Sequence, residues 1–169
     1  YNQAIMDFGA LQCTPAQPGC ADCPLASRCL ALAAGTVAER PVKQSKTKVR
    51  DRWFNYLHVT CGDRTLLRRR GEGDIWQGLY EFPMIETDRA ADFSELTDSE
   101  EFRTLLGGVE WRLLRSVAMP KHQLSHQTLH AVFHRIEISF PVDFPSVPTA
   151  TLGDYAVPRL IDRYLDRQP

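Results

Sequence analysis

The sequence predicts an α+β fold, preceded by a short helical segment that carries a metal-binding cysteine loop. Three features predict it. Strand-like runs recur at 53–61, 64–70, 111–119 and 128–139, the first rich in β-branched and aromatic residues. Helical patterns lie at 99–106 and 157–165, the second with Leu160, Ile161, Tyr164 and Leu165 on one face. Four of the five cysteines crowd into residues 13–29, ahead of a polar, basic stretch without periodicity. The expected organisation is therefore a helical segment with the cysteine loop (1–35), a basic interdomain linker (36–52) and an α+β domain (53–169).

The elements follow in order. The opening YNQAIMDFGA reads as a helix in progress, with Ala4, Ile5, Met6, Phe8 and Leu11 on one face. Gly9 and Ala10 are small enough to let another helix pack closely. Since the first residue is Tyr1, in mid-helix, the sequence is expected to begin inside a longer protein. After the cysteine loop, residues 29–34 predict a short helix capped by Gly35. Residues 53–61 and 64–70 predict a hairpin about the turn Gly62-Asp63. GEGDIWQGLYEFP is a glycine-punctuated loop closing in a short strand at 79–82. Residues 87–98 read as acidic turns, and 99–106 as a helix ended by Gly107-Gly108. The strand at 128–139 alternates: Leu129, Ala131, Phe133 and Arg135 on one face, His130, Val132, His134 and Ile136 on the other. PKHQLSHQ before it is a polar loop, and 141–158 is Pro-rich and irregular.

Net charge is −1, which selects neither for nor against nucleic acid, but its distribution is uneven. Residues 1–52 hold seven Lys/Arg against four Asp/Glu; the remainder hold thirteen against seventeen. The excess sits mainly in ERPVKQSKTKVRDR, at 39–52, where a phosphate backbone would be attracted; a solvated linker explains the same residues equally well. No apolar run approaches the roughly 20 residues of a membrane helix, and no export signal opens the chain.

The cysteine spacing is Cys13-x6-Cys20-x2-Cys23-x5-Cys29. Clustered thiolates without an export signal point to metal ligation in a reducing compartment. They suit zinc or an iron–sulfur cluster. Pro15, Pro18 and Pro24 stiffen the loop and reduce the entropy lost on closing it. Cys61 falls in mid-strand and reads as a small core residue.

This spacing after NQAIMDFGA resembles the cluster loop of the endonuclease III and MutY base-excision glycosylases. The resemblance implies a 4Fe-4S cluster on Cys13, Cys20, Cys23 and Cys29, with structural zinc as the alternative. A domain after the loop is similar to the MutY-type adenine DNA glycosylases in particular. That implies a Nudix-like α/β/α domain, a mixed sheet flanked by helices. RRRGEGDIWQGLYEFP resembles that family's wording through Arg69, Gly73, Ile75, Trp76, Gly78, Leu79, Phe82 and Pro83. A Nudix hydrolase would follow it with a Glu-rich helix holding Mg²⁺. Here Glu81, Glu86, Glu95 and Asp98 lack the paired spacing, which argues against pyrophosphatase activity.

The resemblance also implies that Leu124, Ser125 and His126 form the loop that touches 8-oxoguanine opposite adenine. The chemistry is sensible, because a serine hydroxyl matches both the N7–H donor and the O8 acceptor that distinguish this base from guanine. Leu124 stands where an aromatic is usual and is expected to wedge as an apolar probe. Lys121, His122, Lys46 and Lys48 are expected phosphate contacts. His122, His130 and His134 read as strand histidines rather than a metal set. In the family, the carboxylates that excise the base precede the helix at Tyr1, so no catalytic residue is assigned and this chain alone is expected not to excise adenine. The implied partners are duplex DNA with 8-oxoguanine:adenine mispairs and repair proteins at the linker. A monomer, in the cytoplasm of a bacterium and associated with the nucleoid, is expected. The alternatives are a Nudix-type hydrolase of oxidised nucleotides and a non-catalytic zinc-containing binding module.

Overall fold

The computed structural model describes residues 2–42 and 49–167. The chain divides into two compact units, residues 1–47 and 48–169. No helix among the described residues is long and apolar enough to cross a membrane.

The first unit holds α1 (Asn2–Leu11), a 3₁₀ turn (Ala26–Arg28), α2 (Leu30–Ala33) and a second 3₁₀ turn (Val37–Glu39). The expected end of α2 is realised. Gly35 adopts φ +66°, Thr36 donates its amide to Ala31 O at 2.9 Å and Gly35 to Leu32 O at 3.1 Å. That pair of bonds satisfies the last carbonyls of the helix, and the left-handed backbone favours glycine. The predicted inward face of α1 differs: Ile5 and Met6 are 54% and 66% exposed, and no described residue of this unit is buried. A segment this short has too little apolar surface to form a core by itself.

The second unit is a mixed sheet covered on both faces. Its strands are β1 (Arg50–Cys61), β2 (Arg64–Leu66), β3 (Arg68–Arg69), β4 (Tyr80–Glu81), β5 (Met84–Thr87), β6 (Trp111–Ala118), β7 (His122–Gln123), β8 (Gln127–Ile138) and β9 (Ser146–Pro148). Its helices are α3 (Phe93–Thr97), α4 (Glu100–Leu106) and α5 (Arg159–Leu165), with a 3₁₀ helix at Thr149–Asp154. β1 and β8 run parallel at the centre, pairing from Arg50↔Gln127 to Thr60↔Glu137. The other side of β1 is shared by β2 and β5, and the other side of β8 by β6 and β7; β9 extends the sheet beyond β2. β3 and β4 make a separate two-stranded ribbon.

Period two sorts the central strands. Phe54 and Tyr56 of β1, with Leu129, Ala131 and Phe133 of β8, pack beneath α5 against Leu160, Ile161 and Tyr164. Leu57 and Val59, with Ile136 and Ile138, face α3 and α4 through Leu96, Phe102 and Leu106. A strand buried on both faces carries apolar side chains at odd and even positions alike, which is why residues 53–61 read so strongly. Gly62, at φ +58°, makes the expected turn into β2. Ser99 caps α4, its hydroxyl accepting from the Phe102 amide at 3.2 Å.

Several boundaries differ from expectation. β1 begins at Arg50, so residues 50–52 of the expected linker belong to the sheet. The stretch 87–98, expected as turns, contains α3. Its only apolar positions, Phe93 and Leu96, lie one turn apart, enough to seat a short helix on the core among acidic neighbours. The supposed loop 120–127 contains β7, and the Pro-rich region contains β9, an edge strand in which Pro148 is tolerated.

Among the described residues, two histidines are buried with one side-chain hydrogen bond each. His58 Nδ1 lies 2.9 Å from Tyr164 Oη, and His134 Nδ1 lies 2.8 Å from Ser116 Oγ. Burial lowers both to about 4, helped at His58 by Arg135 and Arg115. The unfolded chain therefore binds more protons between pH of about 6.5 and 4, and stability must fall as pH drops through that window. We expect the urea midpoint to decrease steadily from pH 7 to pH 4.5, and a His58→Gln/His134→Gln variant to show a shallower decrease. Equal slopes in the two proteins would refute the assignment.

Candidate nucleic-acid interface and cysteine cavity

The cysteine loop is closed by local bonds. Gly19 donates its amide to Gln12 O at 3.0 Å, and the Gln12 amide group donates back to Gly19 O. Thr14 Oγ1 donates to Gln17 O at 2.7 Å, and the Ala26 amide to Cys23 O at 3.0 Å. The result brings all four sequence-predicted ligands together: Cys13, Cys20, Cys23 and Cys29 line one cavity of about 40 Å³, completed by Gln12, Pro18, Gly19, Ala26 and Leu32. All are free thiols, Cys13 exposed and the others half-buried. Among the described residues, no three Cys, His, Asp or Glu side chains converge closely enough for a single ion. Four thiol donors lining one cavity fit a four-iron cube, which takes one thiolate at each iron.

The second candidate site is the hairpin between β7 and β8. His122↔Leu129 and Gln123↔Thr128 pair, and the Leu124 amide donates to Gln127 O at 2.8 Å. Ser125 and His126 are thus left as a two-residue apex, both exposed. Leu124 is half-buried and packs against the core beneath α5, so the leading atoms belong to Ser125 and His126. Lys121 is exposed beside them. His122 is half-buried with its ring 6.0 Å from that of Trp76, and burial together with Arg163 lowers its pKa. Lys46 and Lys48 lie outside the described residues.

Behind the apex is an ionic network that the sequence did not announce. Arg52 is 7% exposed. Its guanidinium donates to both oxygens of Glu86 (2.7 and 2.6 Å), to both oxygens of Asp74 (2.7 and 2.8 Å) and to Gln127 Oε1 (3.1 Å). It also sits 4.7 Å over the Phe54 ring. Arg70 donates to Asp74 at 2.7 Å, to Ile75 O at 3.0 Å and to the buried Glu81, which also accepts from Arg68 at 3.2 Å. The hydrogen bond from Arg52 first, then that from the Ile75 amide, holds the Asp74 carboxyl down at about 2 against the opposing effect of burial. The one signal in the sequence was the clustering of arginines and carboxylates in 68–86, which spacing alone could not pair.

The loop over this network places Trp76 at φ +63°, a backbone that bulky side chains rarely adopt and that costs on the order of 1–3 kcal/mol. Edge contacts to Phe54 at 6.4 Å and to His122 hold it there. Gly78 follows at φ +80°, where an added Cβ would meet the Arg69 guanidinium at 3.3 Å.

All four carboxylates weighed as metal ligands engage arginines. Glu81 and Glu86 belong to the network, Glu95 pairs with Arg89 at 3.0 Å and Asp98 with Arg103 at 3.2 Å. His130 stacks on Trp53 at 4.8 Å and bonds Asp51 at 2.7 Å, so the strand histidines have separate partners.

Comparison with known proteins gives consistent results. The NUDIX domain family model matches residues 55–167. Adenine DNA glycosylase of Buchnera aphidicola (subsp. Schizaphis graminum) is 27% identical over 153 residues, covering 85% of this chain and 39% of that protein. The protein of the same name from Arabidopsis thaliana is 31% identical over 106 residues, covering 54% of this chain and 17% of its own length. The chain therefore spans well under half of the relatives it matches. The Buchnera match is too extensive to be confined to residues 48–169. In solution structure, the E. coli ORF135 protein superposes with a TM-score of 0.50 at 15% identity, over 70% of this chain and 91% of that one, a likeness of fold.

Replacing Arg52 tests the network. Arg52→Met leaves Asp74 and Glu86 without their shared cation, and breaking a buried pair costs about 3–5 kcal/mol. Partial exposure of both carboxylates places the expected loss near the lower end. Urea denaturation at pH 7 measures it, and a loss below about 1 kcal/mol would contradict the network's importance.

Proposed function

The chain belongs to the NUDIX domain family over residues 55–167, and from that premise we propose that it is the lesion-reading part of an adenine DNA glycosylase acting in base-excision repair on adenine opposite 8-oxoguanine. The observation that carries this is the exposed Ser125–His126 apex on a hairpin braced from within, in a chain whose relatives are named adenine DNA glycosylases. The Ser125 hydroxyl donates to O8 and accepts from N7–H of the oxidised base, a pattern guanine does not present. His126 adds a second donor or acceptor at the same edge. Lys121, with Lys46 and Lys48 of the basic stretch, meets phosphates, which fixes register without reading sequence. Leu124 anchors the apex to the core.

Cys13, Cys20, Cys23 and Cys29 hold a 4Fe-4S cluster, whose contribution is to fold the first unit around four ligands. Support comes from the shared cavity and from a unit that lacks buried residues of its own. The substrate is duplex DNA carrying the mispair, and the residues on this chain bind and orient rather than cleave. The protein is proposed to work as a monomer at the bacterial nucleoid, with the linker available to repair partners.

Two measurements test the proposal. Metal analysis of freshly purified chain is expected to give roughly four iron and four sulfide per chain, lost in Cys23→Ser; one zinc in their place would overturn the cofactor assignment. In fluorescence anisotropy, the chain is expected to prefer an 8-oxoguanine:adenine duplex over a thymine:adenine duplex. Ser125→Ala should reduce that preference about tenfold, a loss of about 1.4 kcal/mol, with affinity for the undamaged duplex unchanged. A preference that survives the substitution intact would remove Ser125 from lesion contact.

A further inference from the structure

We infer that Arg52 is a positioning residue for the Ser125–His126 apex, acting through Gln127; the role in lesion reading rests on the function proposed above. Arginine has five N–H donors in a rigid fork. All five of Arg52 are used, four on Asp74 and Glu86 and the fifth on Gln127 Oε1. The first four bind a loop and β5. The fifth alone leaves this set of carboxylates and reaches the residue that immediately follows the apex.

Among the described residues, neither the Ser125 hydroxyl nor the His126 ring has a hydrogen bond or ion pair. Their position is inherited from the hairpin backbone. That backbone is held at the His126 carbonyl, which accepts from the Arg50 amide at 3.0 Å, and within the hairpin by Leu124 and Gln127. Arg50 pairs with Gln127 and Arg52 with Leu129, so the Arg52 side chain reaches diagonally along the sheet face to Gln127. Asp74 belongs to the loop that also carries Trp76, whose ring meets His122 on the other strand of the hairpin. Both strands of the hairpin are thus tied to the 71–78 loop, one through Arg52 and one through Trp76.

Arg52 cannot be removed without disrupting the network, so the test is made at the acceptor. Gln127→Ala leaves every bond of Arg52 to Asp74 and Glu86 in place, and Gln127→Glu restores an acceptor. With the whole chain, two quantities are measured: the ratio of affinities for 8-oxoguanine:adenine and thymine:adenine duplexes, and amide hydrogen exchange at Leu124 in the free chain. Gln127→Ala is expected to cut the ratio about five- to tenfold and to speed exchange severalfold, with the thermal midpoint unchanged; Gln127→Glu is expected to recover both. A wild-type ratio in Gln127→Ala, or a failure of Gln127→Glu to recover what Gln127→Ala loses, overturns the inference. A wild-type chain with no lesion preference overturns the function proposed above instead, and the exchange rates then decide alone whether Arg52 positions the hairpin.

Discussion

A guanidinium with every donor used is the constraint on which the second unit's working end depends. Arg52 stands on the same strand face as Phe54 and Tyr56, at the point where that apolar row ends. A cation 7% exposed is tolerable only if its charge and its hydrogen bonds are met. Asp74 and Glu86 meet both, and the Phe54 ring below adds a face for the cation. The geometry has a consequence for topology. Asp74 lies in a glycine-punctuated loop, Glu86 on β5 and Gln127 at the start of β8, so one side chain ties together three segments distant in sequence. A lysine, with three donors and no fork, would satisfy one carboxylate well and not both.

The two units cohere by different means. The sheet of the second is covered on both faces, and its stability follows from apolar burial in two layers. In the first, Ile5, Met6, Leu11 and Leu30 are exposed and no described residue is buried. What the first unit does have is four thiols on one small cavity, with backbone bonds already closing the loop around it. Pro15, Pro18 and Pro24 stiffen the same loop.

Much of the fold was legible in the sequence because strong periodic signals survive without neighbours. β1 and β8 carry apolar side chains on both faces or in clean alternation, and the parity expected at 129–136 is the parity observed. The Gly35 and Gly62 backbones were legible because one residue type dominates left-handed positions. α3 and β9 were not, since a short element seated by one or two residues leaves no period to detect. At the sites, the cysteines were legible as spacing and the hairpin residues as a resemblance. Arg52 was invisible for a physical reason: its partners sit 22, 34 and 75 residues away, and charge in a linker-like run looks the same whether solvated or buried.

The same network bears on what kind of chemistry this sheet supports. A divalent cation held against a pyrophosphate needs carboxylates that face solvent and one another. Here Glu81 and Glu86, which follow the glycine loop, accept from arginines instead, and Glu81 is almost wholly enclosed. Carboxylates neutralised in this way make a rigid support and a poor metal site. The rigidity is transmitted outward, because the strained Trp76 and the bonded Gln127 both abut the hairpin. Among the described residues, the Ser125 and His126 side chains have no hydrogen-bond partner within the protein, two polar groups at the end of a braced strand pair. Polar groups on a fixed scaffold lose less conformational entropy when a matching partner arrives than the same groups on a mobile loop.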